Sequence, residues 1–167
     1  VVGALCEAGH RVRTFSLHDD PRADVPPRVE AMTGDIADPG ALRRAVKDME
    51  VVVHLAALLH IFNPVSETDE AYERINVHGT QSVVQASLAA GVGRIVLAST
   101  IAVYGPGEGQ VLDERALPRP DSAYARSKLT AEQIALQARD RSGRAVGVVL
   151  RLGAGREPGG RLRQDRH

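Results

Sequence analysis

The stretch VVVHLAAL, residues 51–58, is apolar at every position but His54. Such a run, without polar alternation, predicts a strand buried on both faces, as in a parallel sheet. Parallel strands need long crossover connections, usually helical, and the neighbouring segments supply them. Before the run, DPGALRRAVKDM (38–49) reads as a helix, with Asp38 as N-cap, Pro39 in the first turn and Leu42, Val46 and Met49 on one face. After it, residues 69–90 read as a long helix, with Ala71, Ile75, Val83, Ala86 and Ala90 near one stripe and Gly91 closing it. RIVLAST (94–100) is a second apolar strand, residues 121–139 a further helix, and AVGVVLRL (145–152) the last strand. Nearer the N-terminus, VVGALCEAGHRV (1–12) reads as a helix ending near Gly9, followed by short strands over 11–17 and within VEAMTGDI (29–36). This alternation predicts an α/β fold with a doubly wound parallel sheet.

Composition narrows the function. The 167 residues carry 21 Lys+Arg and 21 Asp+Glu, so the net charge is zero and no nucleic-acid or anionic-membrane surface is expected. At 43% hydrophobic residues the chain has the makings of one globular core. A single cysteine, Cys6, excludes an internal disulfide framework and fits a reducing, cytoplasmic setting. No apolar run reaches the length of a membrane span. The six histidines show no metal-ligand spacing, and His54 and His60 read as packing residues, so no metal is expected.

The chemistry-bearing residues gather at predicted strand ends and on one helix. In SAYARSKLTAEQ, Tyr124 and Lys128 stand four apart, on one helical face. An ammonium beside a phenol favours the phenolate and lowers its pKa from about 10. A tyrosine so tuned can exchange a proton with a carbinol or carbonyl oxygen. Chance alone gives a Tyr-x-x-x-Lys in roughly one of twenty-five such chains, so the pair needs company. LASTIAVYG ends a buried strand in Ser99 and Thr100, and ligands of doubly wound sheets bind outside the carboxyl ends of strands. TGDI brings Asp35 to a second such end, and HLAAL brings the small Ala56 and Ala57 to a third. Each alone reads as ordinary capping or packing; together they predict a cofactor crevice.

The set GDIAD, VVVHLAAL, NVHGT, LASTIAVYG, YARSK and VVLRLG, in this order, closely resembles the NAD-dependent epimerase/dehydratase family, the extended short-chain dehydrogenases. The resemblance implies a Rossmann-like fold and NAD or NADP as cofactor. It implies that Tyr124 is the catalytic acid/base, Lys128 its partner and a ligand of the nicotinamide ribose, and Thr100 the catalytic hydroxyl residue. It matches Asp35 and Ile36 to the pair beside the adenine, Leu55, Ala56, Ala57 and Leu58 to the stretch lining the cofactor, and Asn76 to an Asn near it. Tyr104 is read as structural. The implied substrate is a small molecule, a nucleotide sugar in an epimerase; the alternatives are a hydroxysteroid-type dehydrogenase and a non-catalytic cofactor-binding interaction protein. A homodimer is expected for the full-length protein.

The pattern also departs from the family. The family's G-x-x-G-x-x-G loop and first strand are not in the sequence, which would place the fingerprint just before Val1. That strand would lie centrally, between those at 11–17 and 51–56. Its absence would remove buried aliphatic groups worth on the order of 5–9 kcal/mol, so the isolated polypeptide is expected to be unstable and inactive. Ser16 stands where the family often has a ribose-binding Asp; NAD remains slightly preferred over NADP, with Arg22 a remote candidate for a phosphate. Ile101 and Ala102 occupy the positions of the dehydratase branch's Asp-Glu pair, which argues against sugar dehydration. The expected division is a partial dinucleotide-binding domain over 1–153, an irregular tail over 154–167, and no C-terminal substrate domain.

Overall fold

The computed structural model describes residues 1–18, 26, 28–59, 67–106 and 113–153. Helix α1 (Val2–Glu7) stops where predicted: Gly9, at φ +84°, turns the chain into β1 (Arg13–Ser16). β1 pairs in parallel with β2 (Glu30–Thr33), Arg13 opposite Glu30. The Arg13 guanidinium bridges to Glu30 at 2.8 Å and donates to the carbonyl oxygens of Ala45 and Lys47 at 2.9 and 2.8 Å. It thereby ties this small sheet to the end of α2 (Pro39–Val46). α2 begins as the sequence predicts, with Pro39 in its first turn and the Asp38 carboxylate accepting from the Gly40 amide at 2.7 Å.

A second sheet holds β3 (Val51–His54), β4 (Arg94–Thr100) and β5 (Gly147–Leu152), all parallel, with β4 in the middle. Among the described residues β1 and β3 are not paired with each other. α4 (Gly79–Ala90) and α5 (Ala123–Gln137) pack on β3–β5, and α2 packs on α4. The core lies at this layer. Val46, Val84, Val92, Ile95, Ala138 and Val146 form one cluster, and Leu97, Ala131 and Ala135 form another beside Val149.

The expectation that 51–58 is buried on both faces fails among the described residues. Val52 and His54 turn toward the helices, whereas Val51 and Val53 are 51% and 39% exposed. Side chains of a strand alternate between faces, and α4 and α5 cover only one.

The long helix expected over 69–90 is present but not uniform. α3 (Glu67–Tyr72) passes into a π-helical turn, Glu73–His78, before α4, and Gly91 closes the run in a left-handed conformation at φ +77°. β4 ends in a 3₁₀ turn, Ile101–Tyr104, capped by the Thr100 hydroxyl, which accepts from the Ala102 amide at 3.2 Å. α5 starts two residues later than expected, with Ser122 as its N-cap. The sequence expectations for His60, Arg22 and the 154–167 tail lie outside the described residues.

Candidate active site

Thr100 and Tyr124 are brought together by β4 and the first turn of α5. Thr100 is the last residue of β4, and its side chain stands beside the Tyr124 phenol. Tyr124 is half-buried, and its ring lies 5.8 Å from that of Tyr72, tilted by 55°. Burial pushes the phenol above its ordinary value of 10, and the Thr100 side chain opposes this. The expectation that Lys128 lowers the Tyr124 pKa is therefore corrected for the free protein. Desolvation of the phenolate wins, and the lysine's charge is engaged elsewhere.

Lys128 is only 4% exposed, and its Nζ donates to the Ala98 carbonyl of β4 at 2.7 Å. Burial lowers its pKa, and the Glu132 carboxylate one turn on opposes that shift. His54, buried at the end of β3, faces Thr80 across 3.1 Å, and the Thr80 hydroxyl donates to the Asn76 carbonyl at 2.6 Å. Burial, and then the Lys128 charge, hold the His54 pKa at about 4, so this imidazole is neutral at physiological pH.

Asn76 lies in the π turn and is 1% exposed. Its Oδ1 accepts from the Leu58 amide at 2.7 Å, and its Nδ2 donates to the Leu58 carbonyl at 3.1 Å and to Ser127 Oγ at 3.0 Å. Ser127 in turn donates to the Tyr124 carbonyl at 2.8 Å. Asn76 thus joins the stretch after β3 to the helix that carries Tyr124 and Lys128. Within that stretch Leu55 and Ala56 are exposed, and Ala57 and Leu58 half-buried.

Asp35 and Ile36 follow β2, two and three residues beyond its last strand residue, Thr33. The Asp35 carboxylate accepts from the Ala37 amide at 2.8 Å, while Ile36 packs against Gly79 at the start of α4. Ser16, at the end of β1, donates its hydroxyl to the His18 carbonyl at 2.8 Å.

Sequence reasoning missed a second cluster beside Thr100. Glu132, 1% exposed, accepts from Ser99 Oγ at 2.5 Å and from Arg151 Nη2 at 2.6 Å. Arg151 Nη1 donates to the Tyr104 hydroxyl at 2.7 Å. The available signal was the spacing of Glu132, four residues beyond Lys128 and so on the same helical face.

A half-buried strand-end threonine thus stands beside a half-buried tyrosine, with a buried lysine one turn further along α5. The sequence profile of the NAD dependent epimerase/dehydratase family matches residues 1–165. The chain belongs to this family.

Among the family's curated members, a 3β-hydroxysteroid dehydrogenase/Δ5→4-isomerase of Mycobacterium tuberculosis is 32% identical over 144 residues, 81% of this chain and 38% of the relative. A UDP-glucose 4-epimerase of Streptomyces lividans is 33% identical over 134 residues, 78% of this chain and 40% of the relative. The solved structure of MoeE5 in complex with UDP-glucose and NAD superposes with a TM-score of 0.73 at 32% identity, covering 91% of this chain and 48% of that one. The Rossmann-like α/β fold is thereby established. The chain spans about two fifths of the curated relatives' length and about half of the solved one. Among the described residues no helix is long and apolar enough to cross a membrane, and no three metal-ligating side chains converge.

Proposed function

We propose that the protein containing this chain is an NAD(P)-dependent oxidoreductase or epimerase acting at a hydroxyl-bearing carbon, with Thr100, Tyr124 and Lys128 as its catalytic residues. The observation that carries this is the placement of Thr100, at the carboxyl end of β4, beside the half-buried Tyr124, whose phenol the Thr100 side chain makes more acidic against the effect of burial. The residues present fit a nicotinamide and its ribose. Leu55 and Ala56 offer exposed apolar surface for a flat ring, and Tyr124 and Thr100 offer a polar edge where a substrate oxygen would sit. When bound, the nicotinamide supplies hydride transfer and, in its oxidised form, a positive charge.

The chain's own residues handle the proton. With its pKa raised, Tyr124 is protonated at neutral pH and donates to a carbonyl oxygen in the reducing direction. In the oxidising direction Tyr124 takes the hydroxyl proton once cationic charge beside it favours the phenolate. Thr100 hydrogen-bonds the same substrate oxygen and orients it. Asp35 and Ile36 are assigned to the adenine end, and Asn76 acts on the cofactor-lining stretch through Leu58. Ile101 and Ala102, after Thr100, offer no carboxylate for water elimination.

The preferred substrate class is a nucleotide sugar, in line with the epimerase relative and the UDP-glucose complex; a hydroxysteroid is the second reading, supported by the mycobacterial relative. The test is Tyr124→Phe in the full-length protein, assayed with NAD or NADP against UDP-sugars and 3β-hydroxysteroids. Turnover should drop by two or more orders of magnitude with cofactor affinity within about threefold. Full turnover by the variant, or no turnover of any panel substrate by the parent, would overturn the proposal.

A further inference from the structure

The Glu132 cluster has a geometry that the proton chemistry does not use. Thr100 is the residue whose position relative to Tyr124 matters, and the chain is anchored on both sides of it. On one side Ser99, one residue before, donates to the buried Glu132 carboxylate on α5. On the other side Tyr104, closing the 3₁₀ turn, accepts from Arg151 Nη1, and the Arg151 guanidinium carbon lies 4.7 Å from the Tyr104 ring centre. The two anchors are joined by the Arg151–Glu132 pair, in which Nε and Nη2 reach both carboxylate oxygens at 2.6–3.2 Å. Arg151 is the direct ladder partner of Ser99, so this brace spans β5, β4 and α5. One turn before Glu132, Lys128 donates to Ala98, which makes a second tie between α5 and the end of β4.

We propose that Glu132 is a positioning residue: braced by Ser99 and Arg151, it holds the end of β4 against α5 so that the Thr100 and Tyr124 hydroxyls meet on the substrate oxygen. The inference rests on the catalytic reading given above. A bidentate arginine–carboxylate pair is geometrically specific, and small misplacements of reacting groups cost large factors in rate. A brace of this kind acts on kcat, because it aligns groups in the transition state without touching cofactor or substrate.

The experiment uses the full-length protein and a substrate from the panel above that the parent turns over. Glu132→Gln keeps the side chain's shape and removes its charge. It should lower kcat per folded molecule about 10- to 100-fold, with KM and the dissociation constant for NADH within about threefold. Tyr104→Phe deletes the hydroxyl that Arg151 holds, together with that hydroxyl's donation to the exposed Asp113 carbonyl, and leaves the buried carboxylate in place. It folds even if Glu132→Gln does not, and it should lower kcat about threefold to tenfold in the same pattern. If either folded variant keeps the parent's kcat and shows only a lower melting temperature, the side chain is merely structural and the proposal falls. Tyr124→Phe run in parallel separates the two readings: if it is inactive while the brace variants are fully active, only the brace is refuted, and if it is active the catalytic reading fails as well.

Discussion

Replacing Asn76 by alanine tests the link between the stretch after β3, proposed to line the cofactor, and α5, which carries the proposed catalytic Tyr124 and Lys128. The carboxamide makes three hydrogen bonds, two to the Leu58 backbone and one to Ser127. At about 1 kcal/mol net for each, their loss costs about 3 kcal/mol. That is a large share of a domain's usual 5–15 kcal/mol. At roughly 2–4 °C per kcal/mol for a domain of this size, the melting temperature should fall by about 6–12 °C. Leu58 loses its tether, so NADH affinity should fall together with stability. Ser127→Ala removes one of the three bonds and should cost about 1 kcal/mol, with Leu58 still held. The assay is urea and thermal unfolding of the full-length protein, with a fluorescence titration of NADH. A loss under about 1 kcal/mol for Asn76→Ala, or equal losses for the two variants, would refute the claim that Asn76 carries this link.

Two further predictions concern pH and packing. His54 has its pKa lowered from 6.5 to about 4 in the folded protein, so between these pH values the unfolded chain binds more protons. Stability should therefore fall as pH drops through this window, by about 3 kcal/mol in all, and denaturant melts should show this part of the slope vanish in His54→Gln. At Gly147, where β5 begins, an added Cβ would overlap the Ala135 carbonyl oxygen on α5. Gly147→Ala should consequently destabilise the protein by about 3 kcal/mol, and an unchanged unfolding midpoint would show that this approach is looser than drawn.

Local signals located the elements well. Asp38 and Pro39 start α2, Gly91 ends α4, and Gly9 ends the first helical segment, because each satisfies a backbone requirement within a few residues. The π turn at Glu73–His78 escaped detection, since a 3.6-residue period carries no mark of one widened turn. That turn carries the Asn76 carboxamide, which joins Leu58 to Ser127. The exposure of Val51 and Val53 escaped for a different reason: a strand's apolar run shows that both faces can be covered, not which face is.

The order and spacing of the motifs pointed to the family and the α/β alternation and singled out Thr100, Tyr124 and Lys128 as the candidate catalytic residues, because these features lie along the chain itself. The electrostatics did not follow from spacing. Tyr124 and Lys128 share a helix, yet the phenol is pushed up by burial among distant segments, and the lysine is drawn to the Ala98 carbonyl on β4. Glu132, Arg151, Ser99 and Tyr104 were likewise ordinary residues until β4, β5 and α5 were packed together. Desolvation and long-range hydrogen bonds depend on neighbours far away in sequence, so only the tertiary structure settles them.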